Sequence, residues 1–284
     1  MMSEDLFEYE VLTGENLSLQ AVVDLHAISN VLSEFFDVPA CTFVKNGFVF
    51  ASALGQTSND AYLKAFDCDP LSSFSASVGF SSTVDAETAK HLQSYAIPMI
   101  VAVDFDAEAV DILTQNSETI LIKLISPLKS YKAFEQAVVT HTPFGEIRAE
   151  SKNKIELDKN TFKIATKTKP TTEQIEDAIF AWKIAKYLSP ICAMAAKDFK
   201  TLSIYQAQAN CQNAVEHVLN FACDNSKNAV LYVSDDNLTE GIIHAAAQGR
   251  IGLIIYSGGK HLNMKINNLA DKFNIAILTT GIKI

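Results

Sequence analysis

Arginine is almost missing from this sequence: Arg148 and Arg250 are its only two representatives among 284 residues. Planar, bidentate recognition of phosphates and carboxylates favours arginine, so a phosphate clamp here has to be built from other groups. Positive charge in general is short, with 23 lysines and arginines against 33 aspartates and glutamates and a net of −10. A chain of that sign repels a polyphosphate backbone at long range, which argues against a general nucleic-acid binder. Long apolar runs are missing too, and segments such as 97–103 and 251–256 are far too short to cross a bilayer. The opening Met-Met-Ser-Glu-Asp is acidic where a secretory leader would be basic. The five cysteines are odd in number, scattered and without a C-x-x-C spacing, which fits reduced thiols better than a disulfide framework. The expectation is a cytoplasmic protein with neither nucleic acid nor membrane as partner.

Most catalytic motifs are absent as well. The sequence holds no G-x-x-x-x-G-K-[ST], no G-x-G-x-x-G, no G-x-S-x-G and no H-E-x-x-H. The zinc signature H-x-E with P-C-x-x-C is also missing, and the six histidines are isolated from one another, so no metal is expected. What is present is ample core material, 48% apolar with 20% charged residues.

Its periodicity says one thing twice. Residues 18–36 read as a helix with Ser18 as N-cap, and 40–44 and 48–53 as a hairpin around Lys45-Asn46-Gly47. A helix over 58–66 follows, then strand 74–80, helix 85–95, strand 97–103, helix 107–115 and strand 119–124. The order then recurs: helix 171–188, a hairpin of 191–196 with 201–205, helix 208–223, strand 229–233, helix 237–248, strand 251–256, helix 262–273 and strand 275–279. Helical crossovers imply parallel strands covered on both faces, so the predicted class is α/β with an internal duplication. The boundaries are 1–125 for the first half, 126–169 for a connector and 170–284 for the second half.

The stretch 123–169 differs from the rest in charge. Ten bases against five acids give it a net of +5 and leave −15 elsewhere. It reads as a solvated, partly β-structured connector or as a cationic rim for an anionic substrate. A second local feature is Tyr256-Ser257-Gly258-Gly259-Lys260, directly after a buried strand. Two glycines let the backbone turn its N–H groups towards an anion and Lys260 adds charge, although such a turn is more often ordinary.

Several segments carry a family resemblance. Thr13-Gly14-Glu15-Asn16 is similar to an opening Y-G-E-N-P-H-Q, and Val38 to Lys45 to the strand leading into K-H-x-N-P-C-G. Asn59 to Phe66 with Asp69 to Phe74 resembles D-A-Y…D-P-x-S-A-F-G-G, and Phe180 to Lys186 closely resembles F-A-W-K-V-A-K. Val233-Ser234-Asp235, Ser257 to Lys260 and Thr280-Gly281 are similar to S-D-A-F-F-P-F, Q-P-G-G-S and the C-terminal end. From about residue 11 onward the chain resembles the formyltransferase part of the AICAR formyltransferase/IMP cyclohydrolase family of purine biosynthesis. The resemblance implies two tandem cytidine-deaminase-like halves, formyl transfer from 10-formyltetrahydrofolate to AICAR, and a homodimer with sites at its interface. The resemblance does not extend to the cyclohydrolase domain, and a separate cyclohydrolase is one candidate partner. It places Lys45 and Asn46 at the catalytic Lys-His pair, and Gly14, Asn16, Asp235, Glu240, Gly258, Gly259 and Lys260 at substrate-binding positions.

The same residues show where the chain departs from that family. Asn46 stands for the histidine that helps deprotonate the AICAR amine, and an amide takes up no proton at neutral pH. Leu12, Ile191 and Cys211 replace an arginine, an asparagine and another arginine of the substrate site, and the R-H-F-R-H end is reduced to Ile282-Lys283-Ile284. Two readings follow: a formyltransferase with impaired transfer, or a non-catalytic paralogue, a pseudoenzyme that binds a purine nucleotide or pairs with a partner subunit.

Overall fold

The computed structural model describes residues 7–14, 17–115, 118–133, 138–149, 155–258 and 263–284. The chain enters through β1 (Tyr9–Thr13), a strand that the periodicity does not announce. Ser18 accepts the Ala21 amide and opens α1 (Leu19–Ser33). The Asn46-Gly47 turn joins β2 (Ala40–Lys45) to β3 (Phe48–Leu54). Thr57 caps α2 (Ser58–Phe66), and Asp69 with Pro70 starts the short α3 (Pro70–Ser73). Next come β4 (Ser77–Val84), α4 (Ala86–Leu92), β5 (Met99–Phe105), α5 (Ala107–Leu113) and β6 (Ile120–Leu124).

The connector contributes α6 (Leu128–Ala133), the hairpin of β7 (Val138–Thr142) with β8 (Gly145–Ala149), and β9 (Lys163–Ile164). A capping box of Thr171 and Gln174 opens α7 (Thr172–Ala185). There follow β10 (Ala193–Lys197), β11 (Lys200–Tyr205), α8 (Cys211–Ala222), β12 (Val230–Val233), α9 (Glu240–Gln248), β13 (Leu253–Tyr256), α10 (Met264–Lys272) and β14 (Ala276–Thr279).

Strand β4 starts and ends later than its predicted span of 74–80. Residues 74–76 follow the α3 turn, whereas polar Ser81 to Thr83 stay extended because β5 pairs alongside, with Thr83 opposite Asp104. Helix α9 begins three residues after its predicted start because the Thr239 hydroxyl caps it at Ile242, leaving Asp235 to Asn237 as loop.

Twelve strands make one sheet in the order β1-β6-β5-β4-β2-β3-β11-β10-β12-β13-β14-β9, with β7 and β8 separate. Strands β4, β5 and β6 are mutually parallel, as are β12, β13 and β14, and each trio continues through an antiparallel hairpin into the central seam. Matching β1 with β9, β6 with β14, β5 with β13, β4 with β12, β2 with β10 and β3 with β11, the order reads the same from either side. At the seam β3 and β11 are antiparallel, with Ala53 opposite Lys200, so the two parallel trios run in opposite directions. The Thr201 hydroxyl accepts from the Ser52 amide at 2.9 Å and donates to the Ser52 carbonyl at 3.1 Å, and Gln206 Nε2 donates to the Val49 carbonyl at 2.6 Å.

Helices α1, α6 and α7 cover one face of the sheet, over one core cluster that spans both halves. On the other face α2, α4 and α5 pack over the first half and α8, α9 and α10 over the second. The helix pair α1 and α7 is joined by a buried ion pair between Glu34 and Lys186, whose side chains are 2% and 0% exposed. Tyr187 Oη donates to Glu34 at 2.8 Å, and Lys186 Nζ donates to the Ile155 carbonyl of the connector at 3.0 Å. No helix among the described residues is long and apolar enough to cross a membrane.

Candidate functional site

The hairpin tip of β2 and β3 carries the predicted Lys45 and Asn46. Asn46 and Gly47 both have positive φ, +55° and +78°, the geometry of a type I′ turn between two-residue-linked strands. A Cβ on Gly47 would come within 2.7 Å of Val23 Cγ1, so this position needs glycine for both its conformation and its contact with α1. Lys45 Nζ donates to Ser75 Oγ at 2.8 Å. The ammonium is thus held towards the segment before β4, and the Asn46 side chain stands at the turn.

A second cluster sits where β12, β13 and β14 end. Asp235 accepts the Asn237 amide at 3.1 Å. Its neighbour Asp236 accepts from Ser257 Oγ at 2.8 Å and from Lys283 Nζ at 2.5 Å, and these bonds, Lys283 first, hold its carboxyl below the usual carboxylate range. Gly258 follows β13 at φ +86°, pressed against the Thr279 side chain. Glu240 lies in the first turn of α9 and forms an ion pair with Lys265 at 2.5 Å, which lowers its pKa. Below this cluster the Cys192 amide donates to Ser234 Oγ at 2.8 Å, and Cys211 Sγ donates to the Cys192 carbonyl at 3.7 Å. Burial pushes the Cys211 thiol up, so it stands where it does as a neutral, apolar group.

Strand directions bring these clusters onto one edge of the sheet. The C-terminal ends of β1, β2, β12 and β13 all emerge there, together with the starts of β4, β5 and β6. Gly14, Lys45, Asn46, Asp235, Gly258 and the first turn of α9 with Glu240 therefore share one rim. They do not share one pocket. Lys45 on β2 and Asp235 after β12 are four strands apart in the sheet order; at about 4.8 Å per strand, that is roughly 19 Å. Gly14 lies a further four strands beyond Lys45 on the other side. Of the remaining predicted positions, Asn16, Gly259 and Lys260 lie outside the described residues.

On the same rim, at the starts of β5 and β6, a cleft of about 590 Å³ opens between Gly14 and Lys45, with Tyr95, Pro98, Glu118 and Thr119 among its walls. A second cleft, of about 490 Å³ and lined in part by Glu216, Cys223, Gln248 and Arg250, lies on the opposite rim and touches none of the predicted positions. Among the described residues no three His, Cys, Asp or Glu side chains are grouped to hold a metal.

The sequence reading passed over Ser75, Asp236, Ser257 and Lys283 as individual actors. Ser75 directly follows the Asp69 to Phe74 segment that carries part of the resemblance, which was the available signal. The pairing of Asp236 with Lys283 brings together residues from two different strand ends, and no local pattern announces it.

Comparison with known proteins gives one consistent family. The AICARFT/IMPCHase bienzyme family matches residues 2–220. The bifunctional purine biosynthesis protein PurH of Caldicellulosiruptor saccharolyticus is 31% identical over 274 residues, covering 96% of this chain and 52% of that protein. PurH of a Thermoanaerobacter species is 31% identical over 276 residues, covering 97% and 53%, and PurH of a Nostoc species is 27% identical over 274 residues, covering 96% and 53%. The chain spans about half the length of the curated relatives it matches.

Proposed function

Because the chain belongs to the AICARFT/IMPCHase bienzyme family, we propose that it retains the nucleotide- and folate-binding scaffold of an AICAR formyltransferase, with formyl transfer impaired. The observation that carries this reading is the shared rim. Sequence positions as distant as Gly14, Lys45, Asp235, Glu240 and Gly258 fall on one edge of a twelve-stranded sheet. On this reading AICAR or another purine nucleotide sits against the Asp235–Gly258 end, and 10-formyltetrahydrofolate against the end with Lys45 and the larger cleft. Lys45 stabilises charge developing on the transferred group. Asn46 holds the turn but takes no proton from the amine, which removes about 10²–10⁴ in rate as a typical general-base contribution. The mirrored sheet supports two cytidine-deaminase-like units over 1–125 and 170–284, joined by 126–169.

The separation of the two clusters supports sites completed between chains. A nucleotide the size of AICAR does not bridge a sheet edge of roughly 19 Å, so Lys45 of one copy would serve the Asp235 end of another in a homodimer. The same spacing gives the second reading its footing, a non-catalytic subunit that lends one cluster to a partner such as a separate cyclohydrolase. A cytoplasmic location in purine biosynthesis follows from either.

The test combines binding and turnover on the purified protein. AICAR at about 100 times its dissociation constant should stabilise the native state by about 2.7 kcal/mol, visible as a rise in Tm. Formation of tetrahydrofolate should be slow in the wild type, and Asn46→His should raise it by about 10² or more. No melting shift with AICAR, IMP or a folate would overturn the binding reading. A shift without turnover in either protein would leave the partner-subunit reading standing alone.

A further inference from the structure

The Lys45 tip is held from two directions, and one buried carboxylate makes both attachments. Asp24, in the middle of α1, is 6% exposed. Its Oδ1 accepts the Gly47 amide at 2.6 Å and Gln20 Nε2 at 3.0 Å, and its Oδ2 accepts the Ser77 hydroxyl at 2.9 Å. Gly47 is two residues beyond Lys45. Ser77 is two residues beyond Ser75, whose hydroxyl accepts Lys45 Nζ at 2.8 Å. The result is a closed ring: Lys45 to Ser75, along the chain to Ser77, to Asp24, to Gly47 and back to Lys45. One side of the ring fixes the backbone that carries the lysine, and the other fixes the group that receives its ammonium.

The second half shows what such a residue does without the added task. Asp177 occupies the matching place in α7, and its two oxygens both accept from the turn, at the Asp198 amide (3.0 Å) and the Phe199 amide (2.8 Å). That carboxylate only closes a hairpin. Asp24 gives the turn a single bond and uses its other oxygen to bring in the strand that presents Ser75.

From this difference we infer that Asp24 is a positioning residue for Lys45, acting through Gly47 and Ser77 to set where the ammonium points. The inference rests on the reading of Lys45 as a functional group, and it concerns geometry rather than charge. An asparagine at this position therefore preserves it, because Oδ1 still accepts from Gly47 and the Ser77 hydroxyl can turn to accept from Nδ2.

The experiment compares Asp24→Ala, Asp24→Asn, Ser77→Ala and, as a control, Asp177→Ala. Three quantities are read. They are hydrogen exchange at the Gly47 amide, the rate at which a water-soluble succinimidyl ester acylates Lys45 relative to exposed Lys90, and the AICAR dissociation constant by calorimetry. Asp24→Ala should speed Gly47 exchange, change the Lys45-to-Lys90 acylation ratio severalfold and weaken AICAR binding about tenfold, the equivalent of one lost hydrogen bond. Asp24→Asn should restore all three, and Asp177→Ala should leave all three unchanged. Ser77→Ala keeps the Gly47 bond, so it should alter acylation while leaving Gly47 exchange alone; it decides the matter if Asp24→Ala does not fold. Asp24→Ala or Ser77→Ala with unaltered Lys45 acylation overturns the inference, as does an Asp24→Asn that fails to restore it. A wild type that binds no AICAR defeats the functional reading instead, and exchange and acylation still decide the role of Asp24.

Discussion

The two hairpin tips of this molecule are built on one plan and finished differently. Both are two-residue turns with positive φ at each central residue, both follow a strand with a register shift, and both rest on an aspartate in the preceding long helix. The first tip uses Asn46 and Gly47, residues that suit the left-handed region. The second places Asp198 and Phe199 there, at φ +53° and +55°, and compensates with two amide hydrogen bonds to the Asp177 carboxylate and an edge-on contact between Phe199 and Phe180. A favourable turn needs one bond to its buttress, which leaves a carboxylate oxygen for other work; a strained turn takes both.

The largest expected effect breaks the likeness of the halves at the buried Glu34–Lys186 pair. Lys186→Met strands the Glu34 charge in the core and should cost about 3–5 kcal/mol in urea unfolding, with much of the loss recovered by adding Glu34→Gln. If the single variant unfolds like the wild type, the pair does not hold α1 to α7. Next, the two tips should respond unequally to a change of turn residue. Gly47→Ala meets Val23 and a positive φ and should cost about 1–3 kcal/mol. Phe199→Gly relieves strain but loses ring packing, two terms of similar size, and should stay within about 1 kcal/mol of wild type.

A pH comparison sharpens the contrast further. Burial, more than any other cause, raises the Asp177 pKa, so the native state binds its proton more tightly than the unfolded chain does. Its contribution favours folding below the ordinary carboxylate range and declines as pH rises through its raised value; Asp177→Asn should remove that decline from the urea midpoint. Asp236 is shifted the other way by Lys283 and Ser257, so its contribution is present above the ordinary carboxylate range and lost as pH falls. The smallest effect belongs here: Lys283→Ala should return the Asp236 pKa towards its ordinary value by NMR, with a stability change below about 1 kcal/mol for so exposed a pair.

How much of this was legible depended on range. Helices such as α1 and α7 and both hairpins were readable because capping residues, apolar spacing and Asn-Gly are local signals. Strands β1 and β9 were not, since a five-residue and a two-residue strand at opposite sides of a sheet carry too little pattern and exist through their partners β6 and β14. Candidate site residues followed the same rule. Lys45 and Gly258 stood in recognisable segments, whereas Asp24 looked like any mid-helix acid until Ser77, 53 residues away, donated to it. That Gly14, Lys45, Asp235 and Gly258 share a rim is a property of strand order, which no segment of sequence encodes alone.

The opposed trios also shape the backbone's electric field. Helices α4 and α5 begin on the rim opposite Lys45 and end on its own, while α9 and α10 begin on the Lys45 rim. Since helix N-termini carry partial positive charge and C-termini partial negative charge, these two pairs of helices set opposed dipoles side by side. On the Lys45 rim these four helices present partial negative charge near the starts of β5 and β6 and partial positive charge beyond β12. With arginine so scarce, the N-termini of α9 and α10 supply from the peptide groups themselves some of the positive field that side chains here do not.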